Sequence, residues 1–140
     1  MFMKLLGIDY GEKRIGLALS DELGSFAHEN AVLIDLTNDA IIEYLRKLIL
    51  TEGVEKIVIG LPLNMSGEET EKAQDVREFA GMLENFLDIE ILFEDERWTT
   101  KKVDKTLREM KISQKQARER KDMIAAKYIL QSYLDRERED

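Results

Sequence analysis

Up to Ile34 the chain carries three strand-type apolar runs in succession; beyond it, helix-type and strand-type segments alternate. Met3–Tyr10 and Arg14–Ser20 are β-rich and separated only by Gly11-Glu12-Lys13, a short glycine-started loop that signals a hairpin. Phe26–Ile34 completes a meander. Asn38 is then a candidate cap for a helix over Asp39–Thr51, Val54–Gly60 (VEKIVIG) reads as a buried strand, and Ser66 with Glu69 forms a capping-box pattern for a helix running to Leu87. Its stripe of Ala73, Val76, Ala80, Leu83 and Leu87 marks a core face. A buried strand follows at Ile89–Phe93, then a helix over Thr100–Met110 with Thr99 or Thr100 as cap, and a long final helix opened by Ser113 with Gln116. The order is βββαβαβ with two closing helices, read as a single domain over residues 1–140 whose charged end, 135–140, is expected to fray.

Three acids fall where this order brings chain segments together. Asp9 ends the first run, in LLGIDYG; an aspartate there also makes a good turn starter, so the position alone does not settle its use. Glu96 follows the Ile89 strand in FEDERWTT, and acids just past the carboxyl end of a parallel strand stand where ligands collect. Strand alternation leaves open whether Asp95 or Glu96 points to such a site. Asp122 heads the stripe Ala125, Ala126, Ile129 and Tyr133 of the final helix, where a charge is costly without a partner; placement near a helix N-terminus is the competing account. Packed together, the three would repel and take up protons unless a cation joined them, and carboxylates suit the hard ions Mg²⁺ and Mn²⁺. The pattern points to a nuclease.

Composition sets the surroundings. There is no cysteine, so disulfides and thiolate chemistry are excluded, which fits a reducing cytoplasm. No leader-like segment opens the chain and no apolar run nears ~18 residues, so a cytoplasmic protein with no membrane partner is expected. Net charge is −8, which by itself opposes a polyanionic partner. Distribution reverses that: Arg97–Lys127 holds eleven Lys and Arg against four Asp and Glu. Lys101, Lys105, Arg118 and Lys121 in this segment are candidate phosphate contacts, set against the alternative of ordinary solvated helix faces. Trp98 is either a base-stacking ring or, the expected case, a buried aromatic beside the helix cap. His28, the single histidine, reads as a strand or loop residue.

GIDYGEKRIGLA, VIGLPLNMSGEE, DERWTT and KDMIAAKYILQSYL, in this order, resemble the four motifs of the YqgF/RuvX family, a likeness that covers nearly the whole chain. The resemblance implies an RNase H-like α/β fold: a mixed five-stranded sheet, the three-strand meander plus two parallel strands, flanked by helices. It also implies a nuclease of pre-16S rRNA 5′ ends or, alternatively, a Holliday junction resolvase, and it carries the catalytic and metal-binding roles onto Asp9, Glu96 and Asp122.

The expected chemistry is metal-dependent phosphodiester hydrolysis. Asp9 would bridge two Mg²⁺ or Mn²⁺ ions ~3.5 to 4 Å apart, with Glu96 and Asp122 each holding one. Lys13 and Arg97 would contact the scissile phosphate, and the loop Leu61–Gly67 would shape the groove. A junction resolvase cuts two strands symmetrically and would act as a homodimer, whereas trimming of rRNA does not require one. Two rivals come from other classes. Asp9-x-Gly11 with Lys13 and Gly16 also resembles the phosphate-binding hairpin of actin-like ATPases and sugar kinases, but no second such hairpin follows. A non-catalytic nucleic-acid-binding module of the same fold would have no need of all three acids.

Overall fold

The computed structural model describes residues 3–138. Its meander forms where the apolar runs place it: β1 (Lys4–Tyr10) pairs antiparallel with β2 (Arg14–Ser20), and β2 with β3 (Ala27–Ile34). The chain then crosses through α1 (Asn38–Glu52) to β4 (Val54–Leu61), parallel to β1, and through α2 (Glu71–Phe86) to β5 (Glu90–Asp95), parallel to β4. Sheet order is β3-β2-β1-β4-β5, so β1 lies at the centre. Helices α3 (Thr99–Glu109) and α4 (Gln114–Arg138) close the chain. This is the expected mixed sheet, with parallel strands wherever a helix intervenes.

Alternation along the strands feeds two apolar layers. On one face Leu6, Ile8, Leu17, Ile57 and Ile59 pack under Ile41 and Leu45 of α1 and Val76, Phe79 and Leu83 of α2. On the other, Leu5, Ala18 and Val58 meet Ala126, Ile129, Leu130 and Tyr133 of α4; of the stripe read from the sequence Ala126, Ile129 and Tyr133 face the sheet, whereas Ala125 packs with Ile124 against Val103 of α3. α4 lies very close to this second face. A Cβ on Gly16 would sit 2.0 Å from the carbonyl oxygen of Asp122, and one on Gly7 2.7 Å from the Cβ of Leu130. Any side chain at Gly16 would lift the helix and move Asp122 with it. Among the described residues no helix is long and apolar enough to cross a membrane.

Several helix ends differ from the sequence reading. Thr37, not Asn38, caps α1, its hydroxyl accepting from the Ala40 N–H. Ser66 does not start α2, because the Asn64 side chain captures it: Asn64 Oδ1 accepts from the backbone N–H of Ser66, the Ser66 hydroxyl and the N–H of Glu68. The cap is Thr70, four residues on, held also by its hydroxyl bond to the Pro62 carbonyl. Neither Thr99 nor Thr100 caps α3; both lie in the helix, and Trp98 occupies the cap position without a side-chain bond. The Ser113–Gln116 box is present and reciprocal, at 3.1 Å in each direction. β5 runs through Asp95, beyond the expected end at Phe93, since pairing with β4 continues to Leu61↔Asp95. The charged tail stays helical to Arg138, and positions 139 and 140 lie outside the described residues.

Candidate active site

Because β1, β4 and β5 are parallel, their carboxyl ends share one edge of the sheet. Asp9 is the penultimate residue of β1, and Glu96 directly follows β5. Both line a cleft of about 1060 Å³, with Lys72 from the first turn of α2, Lys121 from α4, and Pro62 and Leu63 from the loop after β4. The lining also includes Glu12, Asp75, Glu78, and Tyr10 stacked on Phe79 with centroids 4.3 Å apart. Gly60 makes room for Glu96, since a Cβ there would stand 2.9 Å from Glu96 Oε2.

Burial is the main force on both acids. It pushes the Asp9 carboxyl up to about 7, with the Asp122 charge adding to it and Lys121 and Lys72 opposing. It pushes Glu96 up to about 8, reinforced by Asp9 and opposed by Lys72. Among the described residues neither acid forms an ion pair.

Asp95 is different. It turns back to accept from the backbone N–H of Arg97 at 3.0 Å and from its Nε at 2.8 Å. Burial works against its ionisation, but the bonds from Arg97 outweigh that and hold its carboxyl below the ordinary value. Of the two acids that alternation left open, Glu96 reaches the cleft lining and Asp95 does not.

Asp122 lies over β2 near Asp9 but outside the cleft lining. Its Oδ2 accepts from Arg14 Nε at 2.6 Å, and Arg14 Nη2 donates to the Arg118 carbonyl at 3.3 Å. Among the described residues no three acidic, histidine or cysteine side chains stand together closely enough to hold one metal ion. Two of the three expected acids therefore meet in the cleft, and the third is paired beside it.

The cationic candidates divide as well. Lys121 lines the cleft; Lys101, Lys105 and Arg118 are exposed on α3 and α4; Lys13 is exposed in the hairpin turn. Arg97 is not free for a phosphate, because it grips Asp95 and donates through Nη1 to the Met65 carbonyl at 3.2 Å. Trp98, expected to be buried beside the cap, is itself at the cap position and 53% exposed. His28 is an exposed residue of β3. Arg14 and Lys72 escaped the sequence reading. For Lys72 the available signal was its place in the first turn of a helix whose N-terminus faces the strand ends; for Arg14 there was none, its partner being 108 positions away.

Acids at the carboxyl ends of β1 and β5, the parallel strands that flank β4, with a helix carrying a third acid across a mixed five-stranded sheet, are the arrangement of an RNase H-like nuclease. Solved structures agree in fold: Thermus thermophilus RuvC in complex with a Holliday junction substrate superposes with a TM-score of 0.62 at 12% identity, covering 98% of this chain and 96% of that one. Fowlpox virus resolvase with Holliday junction DNA gives 0.60 at 8% identity, covering 96% and 98%. The chain belongs to the RuvX family, whose model, described as Holliday junction resolvase, matches residues 3–136. Relatives named "Putative pre-16S rRNA nuclease" include one from Syntrophomonas wolfei, 44% identical over 95% of this chain and 94% of its own length, and one from Sulfurihydrogenibium sp., 43% identical over 95% and 90%. The protein is accordingly a phosphodiester-hydrolysing enzyme.

Proposed function

We propose that this enzyme is a divalent-metal-dependent nuclease acting at Asp9 and Glu96, and that its work is 5′-end processing of pre-16S rRNA. The observation that carries the metal reading is the pair of half-buried carboxyls that line one cleft, raised to about 7 and about 8, without an ion-pair partner among the described residues. Two hard oxygen donors whose charges are mutually destabilised fit Mg²⁺ or Mn²⁺. Asp9 and Glu96 would hold the metal, and Asp122 would join as a third ligand on leaving Arg14. Bound divalent cations supply an activated water and stabilise the leaving oxygen.

The remaining residues act on the substrate. Lys72 and Lys121 offset the acidic lining and bind non-bridging phosphate oxygens, Pro62 and Leu63 restrict the approach of the strand, and Arg14 positions Asp122. The names of the relatives favour rRNA. Junction cleavage by a homodimer is the second reading, favoured by the family model's description. Incubating the protein with a pre-16S 5′-leader transcript and a four-way DNA junction, each with Mg²⁺ and with Mn²⁺, separates them. Cleavage of the leader at a defined position supports rRNA processing, whereas paired symmetric cuts in the junction select resolution. An Asp9→Asn variant that still cuts would sink the metal-site reading.

A further inference from the structure

We propose that Trp98 is a base-stacking platform at the mouth of the cleft, and hence that the strand entering the site is unpaired there. This deepens the nuclease reading and rests on it. Trp98 lies between Glu96 and Thr100, both of which line the cleft. It is the only tryptophan of the chain and is 53% exposed, although the large apolar surface of an indole favours burial. Capping does not explain it: Trp98 sits at the N-cap with φ −100° and ψ −2° and makes no side-chain cap bond, where Ser, Thr, Asp or Asn would stabilise the helix.

Its backbone is held on both sides. Arg97 is tied to Asp95 and to the Met65 carbonyl, and the Thr99 N–H donates to the Glu96 carbonyl at 3.1 Å. The ring is therefore displayed from a fixed turn rather than a mobile loop. Lys101 Nζ lies over one face of the ring, 5.6 Å from its centroid, so a base stacks on the opposite face or displaces the lysine toward its own phosphate. Met65, whose carbonyl accepts from Arg97, is likewise exposed, at 61%. A base in a continuous duplex already has both faces covered, so an indole on a surface can engage only a base that is unpaired or splayed out.

The single tryptophan makes the test direct. Asp9→Asn protein, which binds without cutting, is titrated in Mg²⁺ with a single-stranded RNA and with the same RNA fully duplexed, following tryptophan fluorescence and, separately, binding by anisotropy of an end label. Quenching by the single strand and little by the duplex is expected. Adding Trp98→Ala should weaken single-strand binding by about fivefold or more, given roughly 5- to 150-fold per stacked base, leave duplex affinity unchanged, and be largely rescued by Trp98→Phe. Circular dichroism verifies the fold of each variant. No quenching by the single strand, equal quenching by the duplex, or unchanged single-strand affinity of the Trp98→Ala protein overturns the platform. None of these outcomes touches the nuclease reading, which fails separately if Asp9→Asn still cleaves.

Discussion

Glu94 and Glu96 are two residues apart, both on the α4 side of the sheet, and their surroundings are opposite. Glu94 is 4% exposed and is provided for: the Ser132 hydroxyl donates to Oε2 at 2.7 Å, and Arg136 Nη2 stands 2.7 Å from Oε1. That second approach is an ion pair without hydrogen-bond alignment, which leaves Oε1 with charge compensation but no directed bond. Glu96 has instead Asp9 and Asp95 as like-charged neighbours, with Lys72 the one cation among the described residues that acts appreciably on it. Burying a carboxylate costs several kcal/mol unless it is paired. The chain supplies the pair at Glu94 and withholds it at Glu96, and a deficit kept at a cleft wall is one that something from solution can fill.

The sharpest way to break this comparison is to remove the deficit. Asp9→Asn or Glu96→Gln should lower cleavage by more than about 100-fold, the loss typical of outer-shell metal partners alone. The same changes should stabilise the metal-free protein at neutral pH. The Asp9 carboxyl is raised from 3.8 to about 7 and that of Glu96 from 4.5 to about 8, so the unfolded chain loses these protons first as pH rises. Stability from these groups is complete below about pH 4 and is lost progressively up to about pH 8. Melting temperatures of the metal-free protein should fall across that window, fall less in the variants, and be raised by Mn²⁺ more at its alkaline end, where the ion no longer competes with protons. A flat profile would mean that the acids are already compensated.

How much of this was legible follows from where each signal lies. The element order and the Ser113–Gln116 box are local patterns and appear as read, and the α4 stripe does so except that Ala125 turns to α3 and Leu130 joins the sheet face. The choice between Asp95 and Glu96 is not local. It depends on β5 remaining paired to Leu61↔Asp95, and on Gly60 leaving a gap that Glu96 enters. Ser66 and Thr70 each precede a helix-type run, and only the Asn64 turn, which claims Ser66, separates them. The Arg14–Asp122 pair joins β2 to α4 across the whole sequence, and Lys13 beside it looks equally suited to a phosphate. Trp98 departs from the expected burial, because its exposure depends on the turn between β5 and α3 and not on the usual tendency of aromatics to bury.

The next effect concerns the cations in and around the cleft. Lys101, Lys105, Arg118 and Lys121 replaced together by Gln should weaken nucleic-acid binding across sequences and flatten its salt dependence, each lost contact removing roughly 0.9 from the log–log slope for duplex DNA and about 0.7 for single strands. Filter binding over a salt series measures it. If the slope stays as in the parent, the substrate meets another face. A smaller effect tests the compensated acid: Arg136→Ala strips Glu94 of its cation and should cost about 1–3 kcal/mol in urea unfolding, in contrast to the gain from Asp9→Asn. Arg136 is 53% exposed, so water will offset part of the loss. Equal signs for the two variants would erase the distinction between the sites.

The smallest expected effect sharpens the comparison most finely, because it separates neighbours. Asp95 is paired with Arg97 at a partly exposed position, the kind of ion pair worth about 0–1 kcal/mol, so Asp95→Asn should reduce cleavage by at most about fivefold while Glu96→Gln removes it. Its pH signature runs opposite to that of Asp9. The bonds from Arg97 hold the Asp95 carboxyl below 3.8, so its contribution to stability is present above about pH 4 and lost as pH falls through the lowered folded value. Asp95→Asn should therefore destabilise slightly at neutral pH and not at all in acid, where both proteins carry a neutral group. Thermal melts of the two variants across the same pH series decide it. If Asp95→Asn proves the more damaging to cleavage, or if its stability loss grows toward acid, Asp95 is the residue that serves the cleft and Arg97 is its guard rather than its anchor.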